Sequence, residues 1–212
     1  MKTTFMKSFA LPAALLQMAL PQALADGGMV GNGGDGVRIG RHTYLLDFRE
    51  RGIESNPFVA ELASLDTRKV AEIQALIDPK LLALGFDTEM IARKLAEIRE
   101  KDPLVAYFLT WAIREMDWSV VEPSLVEVDD EDMVLEIARG TLVQLAIRRG
   151  RVVRLNRAHL GRLDTVTKAG LVFHEVVYAA LPYINEATRL PGWRSCLSRR
   201  PVSELEACME AL

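Results

Sequence analysis

The sequence predicts an α+β domain, mainly helical, and three observations carry that expectation. From Pro57 onward apolar residues recur at helical spacing through most of the chain. Around Gly40 and around Gly150, apolar and polar residues instead alternate on both sides of a turn signal, the pattern of two short antiparallel β-hairpins. One segment, about 165–181, is the most apolar of the chain after its first residues, and it reads as a buried central helix around which the others pack.

The first 25 residues read as an export signal rather than as part of that domain. Lys2 and Lys7 form a basic start, Phe9 to Leu20 an apolar run, and Ala23-Leu24-Ala25 a small-residue cleavage site before Asp26. The bland alternative is a buried N-terminal helix, which rarely shows this order of charge, apolar run and small residues. The run is too short for a stable membrane span, so none is expected after cleavage, and the product belongs in the periplasm or outside the cell. Residues 26–212 then form a single globular domain. Losing Lys2 and Lys7 moves the formal charge from −3 to −5, which argues against a general nucleic-acid partner.

Residues 26–36 hold a glycine-rich arm. Gly31-Asn32-Gly33-Gly34-Asp35-Gly36 formally matches a dinucleotide fingerprint, but it follows no strand and opens no helix, so that site is rejected. The arm is either flexible or a fixed turn whose N–H groups face a site. Val37 to Ile39 and Thr43 to Phe48 form the first hairpin, with Tyr44, Leu46 and Phe48 on one face. Phe58, Leu62 and Leu65 begin the helical stripes. Val70, Ile73 and Leu76 follow a cap at Asp66 and end at Asp78-Pro79. Asp87 caps a helix bearing Ile91, Leu95 and Ile98, and Asp102-Pro103 opens one from Leu104 to Met116 that is apolar nearly all round.

The acidic run Asp129 to Asp132 lacks the alternating ligands and central glycine of a calcium loop and reads as a solvated turn. Leu142 to Arg148 and Arg151 to Leu155 form the second hairpin, with Val143, Leu145 and Ile147 inward. Arg148, Arg149, Arg151, Arg154, Arg157 and Arg162 make a local basic patch without interleaved aromatics. Pairing with nearby acids is its default reading, anion binding the sharper one. The central helix starts at Asp164 or Thr165 and is expected to stop at Pro182. Past it, residues 191–212 form a C-terminal clasp in which Cys196 and Cys208 are expected to pair as a disulfide in an exported protein, two reduced thiols being the alternative.

The chemistry-bearing motif sits on the central helix. His174-Glu175-Val176-Val177-Tyr178 is the His-Glu-x-x-His zinc pattern with tyrosine in the last place. The parent pattern works because two imidazoles one turn apart bind one Zn²⁺ while the glutamate acts as base on the metal-bound water. A phenol binds zinc only after losing its proton, so His174 would be the main metal ligand and further ligands would be needed. His42, His159 and Glu186 are the remaining candidates, with Asp35 on the glycine segment. Metal-free acid–base chemistry by His174 and Glu175, with Tyr178 alongside, is a second reading. A buried polar cluster in which Glu175 satisfies a backbone group or an arginine, with His174 hydrogen-bonded to it, is the third, with no cofactor expected. The sequence holds no Gly-x-Ser-x-Gly elbow and no phosphate-binding Gly-Lys-Ser/Thr loop.

The glycine segment Gly31 to Asp35, the strand Tyr44 to Phe48 and the run Ala169 to Tyr178 together resemble a group of uncharacterised exported bacterial proteins. These begin with Gly-Asn-Gly-Gly-Asp and end with a His-Glu-x-x-Tyr helix. The resemblance covers the two ends of the mature chain. It implies no established activity, only that the glycine segment and the His-Glu helix belong to one site. The reading is therefore an exported protein of unknown activity, a non-catalytic binding or envelope-associated module. The alternative is an exported hydrolase, metal-assisted or not, using His174 and Glu175.

Overall fold

The computed structural model describes residues 34–46, 48, 65–122 and 141–189. The expected signal segment at 1–25, the stripe at Phe58 and Leu62, the acidic run at 129–132 and the cysteine-bearing tail lie outside the described residues. Within them the fold is α+β and mostly helical, with two three-stranded sheets.

Strands β1 (Asp35–Ile39) and β2 (His42–Leu45) form the first hairpin, turning at Gly40 in the left-handed region that glycine adopts without steric cost. The second strand is shorter than its pattern predicts: Leu46 and Phe48 are already helical, and Thr43 and Leu45 face the core. Helices α1 (Thr67–Leu81), α2 (Thr88–Lys101) and α3 (Pro103–Glu115) follow. The aspartates named from the sequence cap all three. Asp66 accepts from Arg68 N, Asp87 from Met90 N, and Asp102 from Leu104 N and Val105 N. The all-round apolar α3 is the most enclosed of these, burying Leu104, Phe108, Leu109 and Ile113 among others.

Strand β3 (Asp117–Val121) runs parallel to β6 (Val152–Asn156), which pairs antiparallel with β5 (Ala146–Arg149) through a turn at Gly150. Strand β3 is additional to the two predicted hairpins. The expected single strand from Leu142 to Arg148 is two strands in different sheets. β4 (Thr141–Gln144) joins β1, the chain swings at the fully buried Leu145, and β5 begins at Ala146. The swing is held by hydrogen bonds: Leu145 N and Ala146 N both donate to Gly34 O, at 3.0 and 3.3 Å, and Asn156 N donates to Leu145 O at 2.8 Å. Val143 and Leu145 face inward as predicted, whereas Ile147 is only half-buried.

After the short α4 (Arg157–Leu160), capped by Asn156, comes α5 (Thr165–Ala187), whose cap Asp164 accepts from Thr167 N at 2.7 Å. Two prolines behave differently from expectation. Pro182 was to end α5 and Pro79 to end α1, yet both lie inside their helices. An internal proline costs about 3 kcal/mol, and packing beyond each one offsets it. Past Pro79, Leu81 is fully buried. Past Pro182, which is itself on the exposed side, the Tyr183 ring lies 4.8 Å from Trp111 and 6.3 Å from Phe108 on α3, and Ala187 is buried. The central helix is thus longer than 165–181, and it is buried along one side only. Leu171, Val172, Val176 and Ala180 are sealed in the core, while Val177, Tyr178 and Leu181 are exposed. No helix among the described residues is long and apolar enough to cross a membrane.

Candidate functional site

Helix α5 puts Glu175 on its core side, where the residue is 1% exposed. A charge so placed must be paired and hydrogen-bonded or it neutralises. Its Oε1 accepts from Gly34 N–H at 2.7 Å, a short, charge-assisted bond. Its Oε2 faces Arg148 Nε at 3.7 Å, with the arginine side chain 14% exposed. Arg148 Nη1 also donates to Gly150 O at 3.2 Å, which fixes the guanidinium at the β5–β6 turn. One carboxylate therefore ties the start of β1, strand β5 and α5 together.

Glycine at position 34 is what permits this approach. A Cβ there would run into Leu171 Cδ1 and would stand 3.5 Å from Glu175 Oε1 and 3.7 Å from His174 Cδ2. The same residue's carbonyl holds the swing at Leu145, so Gly34 links both sheets to α5. The last three residues of the glycine-rich segment are accordingly part of the fold: Gly34 is buried, and Asp35 and Gly36 lie in β1. Gly170, one turn before His174, plays a similar part for the Phe48 ring, which occupies the space a Cβ would need.

His174 is half-buried beside Tyr178, the ring centres 5.0 Å apart and tilted by 58°. Tyr178 is 55% exposed. His174 nevertheless shares the Gly34 neighbourhood with Glu175, since its Cδ2 would stand 3.7 Å from a Cβ at that glycine. Of the other sequence candidates, Asp35 directly follows Gly34, the residue that donates to Glu175. His42 is exposed on β2 next to Tyr44, Glu186 is exposed in the last turn of α5, Asp35 opposes Gln144 in the first sheet, and His159 lies on α4. Among the described residues no group of three or more His, Cys, Asp or Glu is disposed to hold a metal ion. Cys196 and Cys208 lie outside them.

Three of the six arginines of the basic patch form ion pairs. Besides Arg148 with Glu175, Arg151 reaches Glu115 at 3.3 Å and Arg157 reaches Glu122 at 2.7 Å. Sequence reasoning anticipated a backbone group or an arginine as the partner of Glu175. It could not say which, because the closing contacts, Gly34 to Glu175 and Arg148 to Glu175, join segments far apart in the chain.

His159 has a separate constraint. Its Nδ1 is buried with no hydrogen-bond partner, and burial first, then the positive charges of Arg162 and Arg38, hold the imidazole below its ordinary pKa of 6.5. The folded state thus favours neutral imidazole, and the unfolded chain takes up the proton first as the pH falls. Stability from this residue is complete above about pH 6.5 and declines as the pH drops through that value towards the folded-state pKa. Thermal melts of His159→Gln against the parent between about pH 7.5 and about pH 5 are expected to show a shallower acid decline in the variant. Equal slopes would contradict the assignment.

No family model matches the chain, and no solved structure matches it. Glutamate–tRNA ligase 1 of Novosphingobium aromaticivorans is similar over 100 residues at 31% identity, a stretch covering 41% of this chain and 22% of the ligase. The chain therefore corresponds to less than a quarter of that protein's length, and the likeness establishes no family.

Proposed function

We propose that the chain is an exported, periplasmic or secreted, non-catalytic binding or envelope-associated module in which the His-Glu motif serves folding. The observation that carries this reading is the burial of Glu175 between Gly34 N–H and Arg148. A general base has to reach the proton it removes, directly or through one water. This carboxylate is instead turned into the core, against backbone and guanidinium. The other side of α5 presents Val177, Tyr178 and Leu181 to solvent, an apolar strip of the sort a binding module offers. The competing hydrolase would need Glu175 facing a water held by a metal on His174.

Zinc analysis and chemical unfolding of purified mature protein test the choice. His174→Ala is expected to leave stability within about 1 kcal/mol of the parent, because the ring is half-exposed. Glu175→Gln is expected to lose about 1–2 kcal/mol, and neither change is expected to alter metal content. Stoichiometric zinc in the parent that disappears in His174→Ala would support the hydrolase instead.

A further inference from the structure

A second feature lies apart from the Glu175 tie. The turn after α1, strand β3, helix α4 and the first turn of α5 enclose an open groove of about 470 Å³. Its apolar lining comes from Ala83, Leu84, Val120 and Leu160. Its polar lining is two cations, Arg157 and Lys168. Volume in this range suits a small ligand, and an apolar floor with a few polar groups fixes a ligand's orientation.

Both cations have a partner at the surface and retain donors. Lys168 Nζ donates to Gly85 O at 3.2 Å, which uses one of an ammonium's three protons. Arg157 Nε lies 2.7 Å from Glu122 Oε1, and a guanidinium carries five N–H donors. Glu122 offsets one of the two positive charges, so the groove has one unit of positive charge to offer among these residues. Gly161 leaves the rim open, since nothing lies within 4 Å of where its Cβ would stand.

We infer that this groove binds a free monoanionic amphiphile, a carboxylate on a short apolar body, with Lys168 and Arg157 at the carboxylate and Leu84, Val120 and Leu160 along the tail. The inference supplies a ligand class for the binding-module reading. It does not involve Glu175, so either can fail alone.

The probe is octanoate, titrated calorimetrically into purified mature protein, with octanamide as the uncharged counterpart. Saturable one-to-one binding of octanoate is expected, with octanamide about fivefold weaker or more, the worth of one partly exposed ion pair. Lys168→Met keeps the apolar stem and is expected to weaken octanoate by about the same factor. Gly161→Leu is expected to abolish binding without lowering the melting temperature, because its backbone φ of −69° accepts a side chain and the added atoms enter open space. Absence of saturable octanoate binding, equal affinity for octanamide, or an unaffected Gly161→Leu protein would overturn the inference. So would binding confined to anionic lipid vesicles, which would mark a membrane surface rather than a free ligand.

Discussion

Glu175→Ala is expected to lower stability by about 3 kcal/mol, the low end of what breaking a buried ion pair costs. The alanine removes the acceptor for Gly34 N–H and leaves Arg148 in a site where it is 14% exposed. That exposure lets the guanidinium recover some hydration, which is why the upper end of the range is not reached. For a chain of this size the loss corresponds to a fall of about 6–12 °C in melting temperature. Arg148→Met is expected to cost less, about 1–2 kcal/mol, because the carboxylate keeps its backbone donor. The two changes meet at one carboxylate, so the double variant should lose less than the sum of the singles, by about 1 kcal/mol or more in a urea-unfolding cycle. Strict additivity would mean that the 3.7 Å pair contributes nothing.

The smallest substitution with a comparable effect is Gly34→Ala. One methyl group would enter the volume of Leu171 Cδ1, and Leu171 is fully buried on the core side of α5. Overpacking of this kind costs about 1–3 kcal/mol, and displacement of β1 would also stretch the short bond to Glu175. An expected loss of about 2–4 kcal/mol follows. Leu171→Ala opens a cavity and is costly by itself, about 2–5 kcal/mol. Combined with Gly34→Ala it makes room for the new methyl, so the pair should be clearly less damaging than the sum of the singles. Additive losses would place the strain elsewhere.

Local signals are legible in the sequence because local physics fixes them. The caps at Asp66, Asp87, Asp102 and Asp164, the turns at Gly40 and Gly150, and the enclosure of α3 all depend on neighbours a few residues away. The misreadings share a different cause. Pro79 and Pro182 are helix breakers by local rule, and distant packing of Leu81, Tyr183 and Ala187 overrules them. The pattern from Leu142 to Arg148 alternates continuously, so nothing in it announces the change of sheet at Leu145, which hydrogen bonds to Gly34 and Asn156 impose.

The candidate site divides in the same way. The glycine segment and the His-Glu helix meet where Gly34 N–H reaches Glu175, and Gly31 to Gly33 lie outside the described residues. An acid on an apolar helix already implied a backbone or arginine partner. That Arg148 fills the role depends on the β5–β6 turn carrying its side chain back towards α5, a tertiary fact that no spacing encodes.

Amide hydrogen exchange at Gly34, followed by NMR on the purified protein, tests the central claim most directly. If the Glu175 carboxylate is a structural tie, the Gly34 amide exchanges slowly, with protection approaching that of the α5 core amides around Leu171 and Val172. Exchange at the rate of an unstructured chain would mean that the carboxylate is not engaged there, and Glu175 would again be available for chemistry.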